Sequence, residues 1–294
     1  MSRRVLVVGD VVDDVLVRAA GPAAHGSDTD AAIAQRPGGS AANVAAWLGY
    51  VGTAVTFVGR AGAAGTPVHV KALTRSGVDA YIASDPQQPT GTIVLLVDDT
   101  GERTMYVDRG ANAALVSGDL PADVWEHVAL LHLTGYSFFD PSVREVAADL
   151  IASAAARGVE LCIDPSSAAY LRRLGAAAFL RVTRGAGLAV PNAEEAAVLT
   201  GLDDPERAGE ALLAHYGTVV VTCGARGVVH CTREEPPRWL TAPAVRVVDT
   251  TGAGDAFCAG LLAARLRGAD VAEQLAAGVE LAAGAVQTLG ARPG

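Results

Sequence analysis

The sequence predicts a three-layer α/β/α domain on a mainly parallel central sheet, with a small β lid attached, and three observations carry that prediction. Apolar, β-branched runs recur at 5–8, 54–58, 92–97, 128–133, 159–163, 188–190 and 219–222, several of them continuous, as in strands buried on both faces. Helix-like segments lie between the runs at 41–50, 68–76, 142–157, 193–200, 205–216, 253–266 and 271–289, the alternation of a parallel sheet covered on both sides. Two stretches, 11–35 and 91–107, break that rhythm with short strands and turn chemistry at Asp98-Asp99-Thr100-Gly101. Residues 1–294 read as one domain, with the lid inserted from 11–36 and 90–110.

Taken in order, Met1-Ser2-Arg3-Arg4 leads straight into the first strand. That apolar run is too short for a signal peptide and no small-residue cleavage site follows it, so the cytoplasm is the expected location. Asp10, Asp13 and Asp14 come just past the strand, where open α/β sheets present their ligand crevice. A carboxylate there can accept two sugar hydroxyls, or belong to a solvated acidic turn. Residues 37–59 carry no charge but include Ser40 and Asn43, and read as a glycine turn, a small-residue helix and a strand rather than a membrane span. Gly38-Gly39-Ser40-Ala41-Ala42-Asn43 opens that helix. Close backbone approach beside an amide that donates and accepts suits a polyhydroxylated ligand, although a plain turn and cap fits too.

His127 and His132 flank an apolar strand and read as satisfied core or edge residues. Asn192-Ala193-Glu194-Glu195 follows Pro191 at a strand-to-helix junction. Its spacing is that of a capping box, and Glu195 is also placed to hold Mg²⁺ through water. Thr222 to Gly227 form a glycine-rich turn after a buried strand, suited to a nucleotide and equally common as a hairpin. The strongest pattern is Asp249-Thr250-Thr251-Gly252-Ala253-Gly254-Asp255. Glycines at a helix start let backbone N–H groups converge on an anion, and the helix dipole adds to the attraction. A carboxylate beside that anion makes sense if a reacting hydroxyl lies between them: Asp255 takes its proton while the Gly252, Ala253 and Gly254 amides hold the transferring charge. The competing reading is an N-terminal capping Asp.

Composition narrows the classes. A net charge of -9 and a pI of about 5.1 disfavour the broad basic surface that nucleic acid requires. Cys162, Cys223, Cys231 and Cys258 form no Cys-x-x-Cys pair, and the histidines have no metal spacing. Neither a dinucleotide fingerprint nor a Gly-x-x-x-x-Gly-Lys-Ser/Thr loop is present.

Together these residues resemble the ribokinase-like (PfkB) family of carbohydrate and nucleoside kinases along nearly the whole chain. The run from Asp249 to Gly260 matches its C-terminal signature in full, and Gly38-Gly39 with Asn43, Gly52 and Gly59 matches the N-terminal one in part. The resemblance implies ATP-dependent transfer to a primary hydroxyl of a monosaccharide or related sugar, with Mg²⁺. It implies Asp255 as base, an anion hole at Gly252, Ala253 and Gly254, and acceptor contacts at Asp14, Gly38, Gly39, Asn43 and the lid residue Arg109. It also implies nucleotide contacts at Asn192, Thr222, Gly224 and Gly227, and Mg²⁺ at Glu195. Many members bind a monovalent cation, and the matching positions for K⁺ are Asp249 and Thr251 with carbonyls at Ala285, Thr288 and Gly290. Lids of this type pair between subunits, so a homodimer through the lid is expected, with no nucleic-acid or membrane partner.

Two departures from the pattern matter. Ala63-Ala64 stand where the family carries an acidic pair, and Ser40 stands where ribokinases carry Lys, which weakens ribose as the acceptor. Arg103 and Arg109 in the lid keep an acidic sugar such as 2-keto-3-deoxygluconate open, since Arg suits carboxylates and phosphates. A nucleoside kinase, with Tyr136, Phe138 and Phe139 as a base platform, and a non-catalytic sugar sensor are the alternatives.

Overall fold

The computed structural model describes residues 3–19, 21–22, 25–97 and 103–294, so the expected turn at 98–101 and Glu102 lie outside the described residues. Its strands are β1 (Arg4–Val8), β2 (Val12–Ala19), β3 (Ala31–Gly38), β4 (Val55–Gly62), β5 (Asp79–Asp85), β6 (Gly91–Val97) and β7 (Arg103–Asp108). They continue with β8 (Val128–Thr134), β9 (Glu160–Asp164), β10 (Leu188–Ala189), β11 (Thr218–Thr222), β12 (Val228–Cys231) and β13 (Arg238–Leu240). The helices are α1 (Ser40–Tyr50), α2 (Thr66–Arg75), α3 (Tyr136–Phe139), α4 (Pro141–Arg157) and α5 (Ala168–Leu174). After them come α6 (Ala176–Val182), α7 (Ala193–Thr200), α8 (Pro205–Leu212), α9 (Ala253–Leu266) and α10 (Val271–Ala285).

Nine strands form the large sheet in the order β13-β12-β11-β10-β9-β8-β1-β4-β5. From β5 to β11 neighbours run parallel, and β12 and β13 close that edge antiparallel. Alternation along β1 explains the layering. Val5 and Val7 point into a core shared with α1, α9 and α10, through Trp47, Phe257 and Leu275. Leu6 and Val8 point the other way, into a core built with Phe138, Leu171, Phe179 and Leu212. Each such side chain, fully withdrawn from water, contributes about 1.5–3 kcal/mol, which is why the central runs are apolar at every position.

The lid is a sheet ordered β3-β2-β6-β7. Its root is tied down by one side chain. Asn112 accepts a hydrogen bond from Val11 N, donates one to Val11 O, both at 2.9 Å, and donates another to Arg109 O. At the end of β3, Gly39 has φ 100, and a Cβ there would stand 2.6 Å from Asp10 O, so the chain turns into α1 only as glycine.

Several expectations need correction. The helix expected over 271–289 stops at Ala285, where Thr288 folds back on the Ala285 carbonyl and the next residues turn toward Asp249. The helix expected over 205–216 stops at Leu212, because the chain must tighten before β11. The strands β5, β12 and β13 and the helices α5 and α6 were absent from the predicted elements: β5 is a half-exposed edge strand and the rest are short. His132 is buried, but its ring nitrogens have no hydrogen-bond partner among the described residues, so it is a core residue without being satisfied. His127 lies on an exposed turn with φ 61. No described helix is long and apolar enough to cross a membrane.

Candidate active site

Two helix starts converge on one carboxylate. Ser40 Oγ, at the first residue of α1, donates to Asp255 Oδ1 at 2.7 Å, and Asn43 Nδ2, one turn on, donates to Asp255 Oδ2 at 2.9 Å. Asp255 itself stands in the first turn of α9. The start of α1 is fixed by Asp10, whose carboxylate accepts from Ser40 N, Ala41 N and Thr134 Oγ1. The three early acidic residues therefore separate in role. Asp10 caps α1, Asp13 lies 3.1 Å from His69 Nε2, and the Asp14 carboxylate fills the space beside Gly38 Cα that a side chain would take.

At the start of α9, Gly252 has φ 75, and a Cβ there would meet Ala291 O at 2.6 Å. No side chain caps this helix. Ala253 N turns back to Thr250 O at 3.3 Å, a long bond that leaves the first turn's positive end facing a cavity of about 230 Å³. Ser40, Tyr136, Asp164, Glu195, Thr222 and Asp255 are among the residues around it, and so are the predicted Asn192, Gly252, Ala253 and Gly254.

Asp255 keeps contact with the cavity, yet the protein surrounds it so closely that burial is the main cause of its rise to about 7. The hydrogen bonds from Asn43 and Ser40 oppose the rise, and the charges of Asp164 and Asp10 add to it. Asp14 is likewise pushed up to about 7, chiefly by burial, with Arg292 opposing. Across the cavity, burial raises Asp164 and Glu195 above the usual carboxylate range, and the Asp164 charge adds to the rise at Glu195.

The predicted capping box is formed: Asn192 N donates to Glu195 Oε2 and Glu195 N to Asn192 Oδ1, both at 2.9 Å. Asn192 also bridges to Thr222. Gly224 and Gly227 lie beyond the cavity in the turn that joins β11 to β12, closed by Cys223 N donating to Gly227 O at 2.8 Å. Arg109 donates to Tyr136 O at 3.1 Å and lies over the Tyr136 ring, and Tyr136 in turn lines the cavity. Around Asp249, one oxygen accepts from Thr251 N and Thr251 Oγ1 and the other from Gly290 N. Ala285 O already accepts from Thr288 N and Oγ1. Among the described residues no three His, Cys, Asp or Glu side chains form a metal cage.

Sequence reasoning missed Asp164 and Arg292. Asp164 ends β9, just as Asp10 follows β1, and the rule that ligands gather at the carboxyl ends of parallel strands points to it. Arg292 follows α10 in a segment without periodicity, and nothing local marks it.

A family model described as pfkB family carbohydrate kinase matches residues 2–294. A fructokinase from Escherichia coli is 32% identical over 276 residues, 89% of this chain and 84% of the relative. One from Klebsiella pneumoniae is 33% identical over 291 residues, 90% and 84% respectively. Among solved structures, adenosine kinase from Sinorhizobium meliloti aligns with TM-score 0.89 at 24% identity, over 100% of this chain and 96% of the other. Arabidopsis thaliana ribokinase complexed with ribose and ATP aligns with TM-score 0.81 at 24% identity, over 99% and 95%. These structural likenesses speak for the ribokinase-like fold.

Proposed function

The chain belongs to the pfkB family of carbohydrate kinases, and from that premise we propose that it transfers the γ-phosphoryl group of ATP to a primary hydroxyl of a monosaccharide or related sugar. The observation that carries this reading is the Asp255 carboxylate, held by Ser40 and Asn43 at the open start of α9. As the acceptor oxygen bonds to the γ-phosphorus, its proton passes to Asp255 and the bond to the ADP oxygen breaks. The first-turn amides of α9, Ala253 N only loosely held by Thr250 O, and the helix dipole stabilise the charge spread over the phosphoryl oxygens. Nucleotide contacts fall to Asn192 and Thr222 beside the cavity, with Gly224 and Gly227 on the turn beyond, and acceptor contacts to Asp14, Gly38, Gly39 and Asn43.

The donor set fits Mg²⁺. Asp164 and Glu195 line the cavity and offer carboxylate oxygens; burial holds them toward the protonated form, so a cation would have to displace a proton there, and an ion that keeps most of its water needs no full protein cage. Bound there, it would neutralise phosphate charge. The expected K⁺ oxygens lie in two adjoining segments, before α9 and after α10, but those of Asp249 and Ala285 already accept internal hydrogen bonds, so a cation must share them.

A nucleoside acceptor is less well supported, because the expected platform rings pack on other rings: Phe139 stacks on Tyr170 at 4.9 Å, Tyr136 packs edge-on against both, and Phe138 packs edge-on against Phe179. The lid exposes Ile33, Leu96, Met105, Tyr106 and Val107, an apolar surface in keeping with a homodimer paired through the lid. Dimer loss on Met105→Glu with Ile33→Glu, read by light scattering, tests that pairing, and an unchanged mass would reject it. A cytoplasmic enzyme is part of the same reading. ATP consumption across pentoses, hexoses, keto-deoxy sugar acids and nucleosides, with and without K⁺, tests the activity. ATP binding without turnover on any acceptor would favour a sensor.

A further inference from the structure

Arg292 reaches back from the segment after α10 to the acceptor side of Asp255. Its Nε donates to Asn43 Oδ1 at 2.9 Å and its Nη2 to Gly38 O at 2.6 Å. Nη1 is shielded from solvent and has no hydrogen-bond partner among the described residues. A charged donor left unpaired out of water is costly, and the planar guanidinium fork matches the oxygens of a carboxylate or phosphate.

Two further guanidiniums line the surroundings. Arg292 lines a cavity of about 330 Å³ together with Arg36, Arg75, Asp14 and Asp249. Of these carboxylates, Asp249 already accepts from Thr251 and Gly290 N. Asp14, raised to about 7, is partly uncharged near neutral pH and repels an anion less. Burial pulls Arg292 down to about 10, which still leaves it protonated at pH 7.

Distance completes the argument. Two hydrogen bonds of 2.9 Å meet at the Asn43 amide, one from Arg292 and one to Asp255, so guanidinium and base stand within about 8 Å of each other. The Asn43 side chain stands between them, so an acceptor that meets both would pass beside it.

We propose that the acceptor carries an anionic group, a carboxylate or a phosphate, at the end away from the reacting hydroxyl, and that Arg292 Nη1 binds it. This rests on the kinase reading above. Arg292 is then a specificity-determining residue, while its Nε also orients Asn43.

The test compares matched acceptors with ATP: glucose against gluconate for the carboxylate, fructose against fructose 6-phosphate for the phosphate. The wild-type protein should favour the anionic member of one pair in kcat/KM by about tenfold or more. In Arg292→Gln that preference should collapse through KM, even where the loosened Asn43 lowers kcat on both members, and Arg292→Lys should keep part of it. The pair that shows the effect identifies the anion. Preference for neutral sugars, or an equal loss on both members of each pair, would overturn the proposal while leaving the kinase intact. Should Arg292→Gln not fold, the wild-type ratios and the Lys variant decide. Absence of turnover on every acceptor would overturn the kinase reading, and this inference with it.

Discussion

Asn43 Nδ2 donates to Asp255 Oδ2 at 2.9 Å, joining the first turn of α1 to the first turn of α9. A capping Asp would turn back on its own helix, but this one accepts from another. Asp255→Asn should therefore lower phosphoryl transfer by about 100- to 10,000-fold while ATP binding persists. An ADP-release assay beside nucleotide titration checks it, and turnover within a few-fold of wild type would remove Asp255 as the base.

The pH profile follows from the same carboxylate. Burial disfavours its charged form and raises it to about 7, and only that charged form takes a proton. The kcat/KM should thus be low in acid, half-maximal at about 7 and level above. Ser40→Ala removes a hydrogen bond that favours the charged form, so its limb should move to higher pH. A flat profile from pH 5 to 9 would contradict this assignment.

Stability without ligands should run the other way. Asp14 and Asp255 are raised to about 7, and Glu195 is raised as well, whereas the unfolded chain titrates carboxyls near ~4. Between those limits the folded state binds more protons than the unfolded one, so unfolding free energy falls as pH rises. The contribution is fully present below the unfolded values and lost through the folded ones. Thermal unfolding should show a higher Tm at pH 6 than at pH 8, and the gap should shrink when Asp14 and Glu195 are replaced by Asn and Gln.

Glu195 joins two functions that substitution can separate. Glu195→Gln retains an oxygen for Asn192 N and should keep the start of α7 intact. Glu195→Ala loses that bond and should cost about 1 kcal/mol of stability. Both should raise the Mg²⁺ concentration needed for half-maximal rate by about tenfold or more. Calorimetry and Mg²⁺ titration separate the two effects.

Much of this was legible in the sequence because it depends on local pattern. Continuous apolar runs marked the buried parallel strands, Asn192 and Glu195 showed their cap by spacing, and Gly252 to Asp255 announced a helix start with an open positive end. Other features depend on what the fold brings together. The Arg292 guanidinium matters only because Asn43 and Gly38, some 250 positions earlier, lie beside it. The edge strand β5 carries half-exposed residues, so it lacks the apolar run that marks its neighbours. Arg109 stood out in the lid for its charge, but its contacts with the carbonyl and ring of Tyr136 depend on residues well along the chain.

The Asn112 clamp has a mechanical consequence. By gripping Val11 through both its N–H and its carbonyl, it sets the pivot of β2 one residue from Asp10, the side chain that seats α1. The root of the four-stranded sheet and the start of α1, which carries Ser40 and Asn43, therefore hang on neighbouring residues. The seating of the small sheet and the alignment of the base share one anchor, so a weakened Asn112 would loosen both at once.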